Sequence, residues 1–303
     1  MQQVTSAPTL VRAKGPLVWL DMDQQALDDA YDQAKYAPNM EPLGRRRALL
    51  SELARARLGA PRRFAYGAAA IEGLDLYPAR APNAPIVVFT HGGAWRNGIA
   101  KDNAFAAEMF VNAGAHFIAL DFNSVIDVGG DLMVLADQVR RAVAWVYGNA
   151  ASFGGDRERL YVVGHSSGGH LTGCLLTTDW ARYGVPANII KAGVCSSGMY
   201  DLAPVRLSAR SKYVAFTDEI ERELSSQRHL DRLNCPIVVA HGTAETPEFQ
   251  RQARDFAAAV KAAGKPVAFI VAKDYNHFEM AELLGNPYSL TGHAALELMQ
   301  LGR

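Results

Sequence analysis

The sequence predicts an α/β protein, a mostly parallel sheet of about eight strands with helices on both faces, and three observations carry that prediction. Short apolar runs recur from residue 64 onward, helical patterns fall between them, and several runs end in a polar, turn-forming burst. Strand, helix, strand in alternation requires right-handed crossovers, which lay helices over both faces of a parallel sheet. In such sheets function gathers at the carboxyl ends of the strands.

Ahead of the sheet, residues 23–36 (DQQALDDAYDQAKY) and 41–58 (EPLGRRRALLSELARARL) carry apolar side chains three and four positions apart, the spacing of an amphipathic helix. The first of these is too short to be stable alone, so it must pack on something larger. Residues 1–60 are therefore expected to form a helical lid segment on a main domain of residues 61–303, within a single domain overall. The expected strands are 64–66, 71–77, 85–90, 116–121, 160–164, 191–196, 236–240 and 267–272. The later ones are almost continuously apolar, as parallel strands buried on both faces are. Helical patterns occupy 132–147, 171–176 and 248–263.

Composition removes several function classes. The 31 basic and 31 acidic residues cancel, and no basic stripe with interleaved aromatics could neutralise a phosphate backbone, so nucleic acid is not an expected partner. The three cysteines, Cys174, Cys195 and Cys235, are odd in number and lie in apolar segments, as reduced core thiols do, which points to the cytoplasm. The apolar run after Lys14-Gly15-Pro16 is too short for a signal-peptide core, and nothing later approaches the length of a membrane span. The expectation is a protein with no membrane partner. No HExxH, no cysteine pair at ligand spacing, no GxGxxG and no P-loop occurs, so neither a metal nor a cofactor is expected. A homodimer is left open.

The polar bursts are where chemistry should lie: HGGAW at 91–95, GHSSGG at 164–169, HGTAE at 241–245 and DYNHF at 274–278. Residues 164–168 fit the nucleophile-elbow pattern G-x-S-x-G, with a strand before and a helix after, the context that pattern needs. A sharp strand-to-helix turn strains the serine backbone, so the positions two before and two after it must lack a bulky Cβ. Ser166 is the candidate nucleophile. Adjacent glycines in HGGAW let backbone N–H groups turn toward a developing oxyanion, and Gly93 and Ala94, with Ser167, are the candidate donors. His91 reads as a loop anchor. His277 follows the last strand and completes the order serine, acid, histidine, which makes it the candidate base. The acid is Glu245, at the end of the strand before; Glu248 and Asp201 are its rivals.

With these residues assembled, the sequence resembles the α/β-hydrolase superfamily from about residue 64 to the end. Within it, the chain is similar to the branch of arylformamidases (kynurenine formamidases) and hormone-sensitive-lipase-like esterases. HGGAW looks like the H-G-G-x-W of the formamidases, where the lipase branch has H-G-G-G, and residues 246–252 (TPEFQRQ) look like the segment after their catalytic acid. LDDAYDQAKYAPN is similar to their leading helix. Residues 120–125 (LDFNSV) replace the Tyr-Arg-Leu-Ala-Pro run common in these esterases, and Glu245 stands where aspartate is usual. The resemblance implies an α/β-hydrolase fold and a serine hydrolase that cleaves a small-molecule carboxylic ester, short-chain or aryl, through an acyl-enzyme, with a small amide such as an aryl formamide as the alternative. Trp95, with Tyr31 or Tyr36 from the lid, is expected to line an apolar pocket for the acyl or aryl group. A receptor on the same scaffold, binding without turnover, would be expected to have lost its acid or base.

Overall fold

The computed structural model describes residues 14–302. A short antiparallel hairpin, β1 (Leu17–Trp19) with β2 (Met22–Asp23), leads into helix α1 (Gln24–Ala30), whose first turn is capped by the Asp23 carboxylate accepting from the Ala26 N–H. The chain breaks at Tyr31 and Asp32 and continues as a 3-10 turn, Gln33–Tyr36, capped by Asp32. The single helix expected over 23–36 is thus two pieces: Asp32 uses its side chain to start a second turn, so its backbone leaves the helical region. Helix α2 (Met40–Leu58) follows with nearly its expected bounds.

The main sheet contains eight strands: β3 (Arg62–Ala65), β4 (Gly73–Tyr77), β5 (Ala84–Thr90), β6 (His116–Leu120), β7 (Gly155–His165), β8 (Ile190–Ser196), β9 (Ile237–Gly242) and β10 (Val267–Ala272). Their spatial order is β10-β9-β8-β7-β5-β6-β4-β3. The pairs from β6 through β10 are parallel, whereas β3–β4 and β4–β6 are antiparallel. This is the mostly parallel sheet of eight strands that the sequence predicts.

Alternation along the central strands divides the interior in two. On β5, Ile86 and Val88 enter one apolar cluster while Val87 and Phe89 enter the other. β7 does the same with Leu160 and Val162 against Tyr161 and Val163. A strand buried on both faces reads as a continuous apolar run because each face has its own core. The first core packs helices α4 (Leu132–Asn149), α5 (Ser167–Leu176) and α8 (Pro247–Ala262), and it also takes in Leu27 and Tyr31 from the N-terminal segment. The second packs the 3-10 segment Ala100–Ala106, α3 (Ala107–Asn112) and α10 (Leu290–Leu298), with Ala54 of α2. β10 departs from two-sided burial: Phe269 and Val271 are exposed, because it is the outer strand of the sheet.

Between β8 and β9 lie short helices α6 (Ala203–Leu207) and α7 (Asp218–Leu224), separated by the 3-10 turn Ala209–Lys212. Beyond β10, Asn276 caps helix α9 (His277–Leu283) through a capping box with Glu279. No helix among the described residues is long and apolar enough to cross a membrane. No group of three or more metal-ligating side chains occurs among them either.

Candidate active site

The four polar bursts meet above the carboxyl ends of the parallel strands. Ser166 sits where β7 turns into α5, at φ 60° and ψ −128°. A β-bearing residue holds such a conformation only when its surroundings fix it. Here the Ser166 N–H donates to the Ser196 carbonyl (3.0 Å), and the hydroxyl of Thr90, at the end of β5, donates to the Gly168 carbonyl (2.8 Å). A Cβ on Gly168 would run into the Thr90 carbonyl oxygen, so the elbow closes against β5 only with glycine there.

His277 lies at the first position of α9, its side chain directed at the elbow. Its Nε2 is 2.8 Å from Ser166 Oγ, and its Nδ1 is 2.8 Å from Glu245 Oε2. Glu245 is 1 % exposed; its Oε1 accepts from the Ser197 hydroxyl (2.6 Å) and from the Gly242 N–H (2.8 Å). Burial pushes the Glu245 carboxyl up, and these two donors act against that push. Burial first, then the Arg210 and Arg47 guanidinium groups, hold the His277 imidazole below its usual range. A neutral imidazole at neutral pH, accepting at Nε2 and donating from Nδ1, is what a general base for a hydroxyl requires.

The rival acids are engaged elsewhere. Glu248, though buried, pairs with Arg251 (2.7 and 2.8 Å) and accepts from the Tyr31 hydroxyl (3.1 Å). Asp201 caps Ala203 and pairs with Arg228 at 3.2 Å. Neither touches His277 among the described hydrogen bonds.

The HGGAW loop approaches the elbow closely: Gly92 lies where a Cβ would stand 3.1 Å from the Ser166 Cβ. Gly93 has φ 120°, and its carbonyl accepts from the Arg96 and Asn97 N–H groups, closing a tight turn. None of the loop and turn hydrogen bonds among the described residues uses the N–H groups of Gly93, Ala94 or Ser167. Ser167 opens α5, where first-turn N–H groups have no helical partner. Gly93 and Ala94 line the same cavity as Ser166 and His277. His91 is an anchor: its ring stacks on Phe122 with centroids 4.2 Å apart, and its Nδ1 is bonded to the Gly92 carbonyl (2.9 Å).

The cavity measures about 830 Å³ and is walled on one side by the N-terminal segment, through Tyr31, Gln33, Met40 and Arg47 among others, and on another by Ala209, Arg210, Lys212 and Tyr213. Tyr31 is on its wall, with its hydroxyl tied to Glu248 and Gln252. Trp95, expected to line the pocket, does not: it is 2 % exposed and faces the core, donating from Nε1 to His170 Nδ1 (3.2 Å). The correction has a backbone cause. Ala94 and Trp95 both have positive φ, at 55° and 61°, and this turn swings the indole beneath the loop onto α5. Tyr36, the other lid aromatic, is exposed and lies outside the cavity wall.

Two participants escaped sequence reasoning. Ser197, which holds the acid, lies in an ordinary Ser-Ser-Gly turn after β8. Gln33, in the N-terminal 3-10 turn, reaches Glu245 Oε2 (3.4 Å) and Thr246 Oγ1 (3.3 Å), while its own carbonyl oxygen accepts from the Thr246 N–H (3.2 Å). Neither side chain belongs to a motif, and both contacts are made across large sequence separations.

Comparison with known proteins places this geometry among hydrolases. The BD-FAE family model matches residues 74–260. The chain is 31 % identical over 287 residues to a kynurenine formamidase of Danio rerio, covering 90 % of this chain and 96 % of that one. It is 27 % identical to esterase LipC of Mycobacterium tuberculosis, over 80 % of this chain and 65 % of that one. Among solved structures, esterase B of Lactobacillus rhamnosis superposes with a TM-score of 0.68 at 16 % identity, covering 88 % of this chain and 96 % of that one. A protein of Silicibacter sp. tm1040 does so at 0.78 and 22 %, covering 90 % and 98 %.

Proposed function

The chain belongs to the BD-FAE family, and from that premise we propose that it is a serine hydrolase that cleaves small carboxylic esters through an acyl-enzyme. The observation that carries the reading is the unbroken hydrogen-bonded series Ser166–His277–Glu245, whose Ser166 and His277 line a cavity together with Gly93 and Ala94.

Ser166 Oγ attacks the substrate carbonyl as His277 Nε2 takes its proton, and Glu245 Oε2 accepts the Nδ1–H of the imidazolium so formed. The N–H groups of Gly93, Ala94 and Ser167 bind the tetrahedral oxyanion. His277 then returns the proton to the leaving oxygen or nitrogen, and a water repeats the sequence in reverse to free the acid. Residues 14–58, through Tyr31, Gln33 and Arg47, act as the lid over this site on the main domain. The three buried thiols support a reducing, cytoplasmic setting.

The second reading, hydrolysis of an aryl formamide, is favoured by the Danio rerio relative, which aligns over 90 % of this chain and 96 % of its own length. An amide nitrogen leaves only after His277 protonates it, so the same residues serve both reactions with a heavier demand on the base. The test is a hydrolysis panel of phenyl esters of increasing acyl length beside N-formyl anilines, run on the wild type and on Ser166→Ala. Short-chain ester turnover abolished by Ser166→Ala supports the ester reading, and faster N-formyl aniline turnover moves the assignment to the amide. Absence of turnover on every member, with tight binding retained, would make the protein a receptor.

A further inference from the structure

Three guanidinium groups on the cavity wall make no ion pair among the described residues: exposed Arg96, which lies over the Tyr213 ring at 4.4 Å, and the more buried Arg210 and Arg47. Arg210 is 9 % exposed; it donates to the Tyr213 hydroxyl (2.8 Å) and the Tyr31 carbonyl (3.1 Å), and its buried Nε has no partner at all. Around it stand the rings of Tyr31, Trp95 and Phe249, with centroids 5.5–5.9 Å from the guanidinium carbon. Arg47, half-buried on α2, lines the same cavity and makes none of the described hydrogen bonds or ion pairs. Its neighbours behave otherwise: Arg45 pairs with Glu41 and Arg46 with Glu282.

Four acids, Asp28, Asp29, Asp32 and Asp102, share the cavity wall, and Glu282, held by Arg46, acts on Arg47 through its charge. Asp28 accepts from the Ala209 N–H (2.7 Å), Asp29 pairs with Lys35, Asp32 caps its 3-10 turn, and Asp102 is exposed. Glu245 serves His277. Arg210 and Arg47 depress the imidazole of His277 through their charge, which puts them within electrostatic reach of the reacting centre. A buried guanidinium without an anion is a destabilising arrangement, and a fold that keeps one beside its substrate cavity keeps it for a ligand.

We propose that the cavity selects an anionic substrate, an ester or amide whose acyl or leaving part carries a carboxylate, and that Arg210 and Arg47 bind that carboxylate. The proposal rests on the hydrolase reading for its substrate class but not for its test. Ser166→Ala protein, as the full chain, is titrated by calorimetry with three matched esters: phenyl butyrate, monophenyl succinate with the carboxylate on the acyl side, and 4-(butanoyloxy)benzoate with it on the leaving side. At least one anion should bind about tenfold or more tightly than phenyl butyrate, the scale of a charge-assisted pair. Arg210→Met in the same background should reduce that advantage to within about twofold, Arg210→Lys should restore part of it, and Arg47→Gln should reduce it severalfold. Which anion gains identifies the side that carries the charge. Equal binding of all three esters overturns the proposal, as does an advantage that survives both substitutions. Should Arg210→Met fail to fold, Arg47→Gln decides alone, since that side chain makes none of the described hydrogen bonds or ion pairs. Turnover of phenyl butyrate by the wild type is read separately: its absence sinks the hydrolase reading and leaves the anion result standing.

Discussion

Replacing Trp95 by phenylalanine separates packing from substrate contact. The indole is buried, meets the His170 ring edge-on at 5.2 Å, and gives its Nε1–H to His170 Nδ1. His170 Nε2 is bonded to the Leu224 carbonyl at 2.9 Å, so its proton resides there and Nδ1 is the acceptor. Burial pushes this histidine down to about 4, which keeps it neutral. Phenylalanine leaves that buried acceptor without a donor, a loss of about 1–3 kcal/mol, and the smaller ring adds about 1 kcal/mol for the void. The sum is about 2–4 kcal/mol. With an unfolding entropy of about 2.1 cal/mol/K per residue, a 303-residue chain should lose roughly 3–6 °C of melting temperature per such change. Calorimetry measures the melting shift, and kcat/KM on a phenyl and an alkyl ester of equal acyl length measures the contact. The ratio of the two kcat/KM values should stay within about twofold of the wild type. A rise in KM confined to the aryl ester, with little change in melting temperature, would refute the placement of Trp95 in the core.

Glu245→Gln removes the acceptor for the His277 Nδ1–H and should lower kcat by about a hundredfold or more with little change in KM, whereas Asp201→Asn should lie within about twofold of wild type. Glu248→Gln should chiefly lower stability, because it leaves Arg251 and the Tyr31 hydroxyl short of a buried partner. Since His277 is depressed and active as the neutral base, the acid limb of kcat/KM should fall below pH 6.5, and Arg47→Gln, by removing one cation, should move that limb to higher pH. The pH-rate profiles of the two proteins check the direction. The neutral form of buried His170 is likewise favoured by folding, so its contribution to stability is full above about pH 6.5 and lost progressively as pH falls toward about 4, which urea titrations at pH 7 and 4.5 would expose. Deleting residues 1–58 should strip the roof from the cavity and uncover Ala54's side of the second core, giving aggregation or a loss of acyl-length preference; an undisturbed, equally selective truncation would contradict the lid.

The sheet could be read from the sequence because burial on both faces leaves a one-dimensional mark. Runs such as PIVVF and LYVV are apolar throughout, and the runs ended within a few residues of the observed strands. The elbow was legible because close packing around the turn demands its two glycines, and the serine between them holds a positive φ. Glu245 and His277 were placed by chain order, a coarser signal, and the structure sets them against each other through a contact across 32 positions. What stayed hidden was direction and partnership. Nothing in HGGAW says that two successive residues with positive φ turn the tryptophan inward. The pairing of Gln33 with the acid, the support from Ser197 and the unpaired state of Arg47 and Arg210 all depend on which distant segments fold together. Local sequence carries no record of a guanidinium that lacks a neighbour.

The most direct test of the account is the site of covalent modification by an organophosphate that mimics the tetrahedral intermediate. Intact-mass and peptide analysis of the protein after reaction with paraoxon should show a single diethylphosphoryl group, on the peptide containing Ser166, and none on Ser166→Ala. Stoichiometric labelling of another residue, or undiminished labelling of Ser166→Ala, would contradict Ser166 as the nucleophile and with it the proposed mechanism.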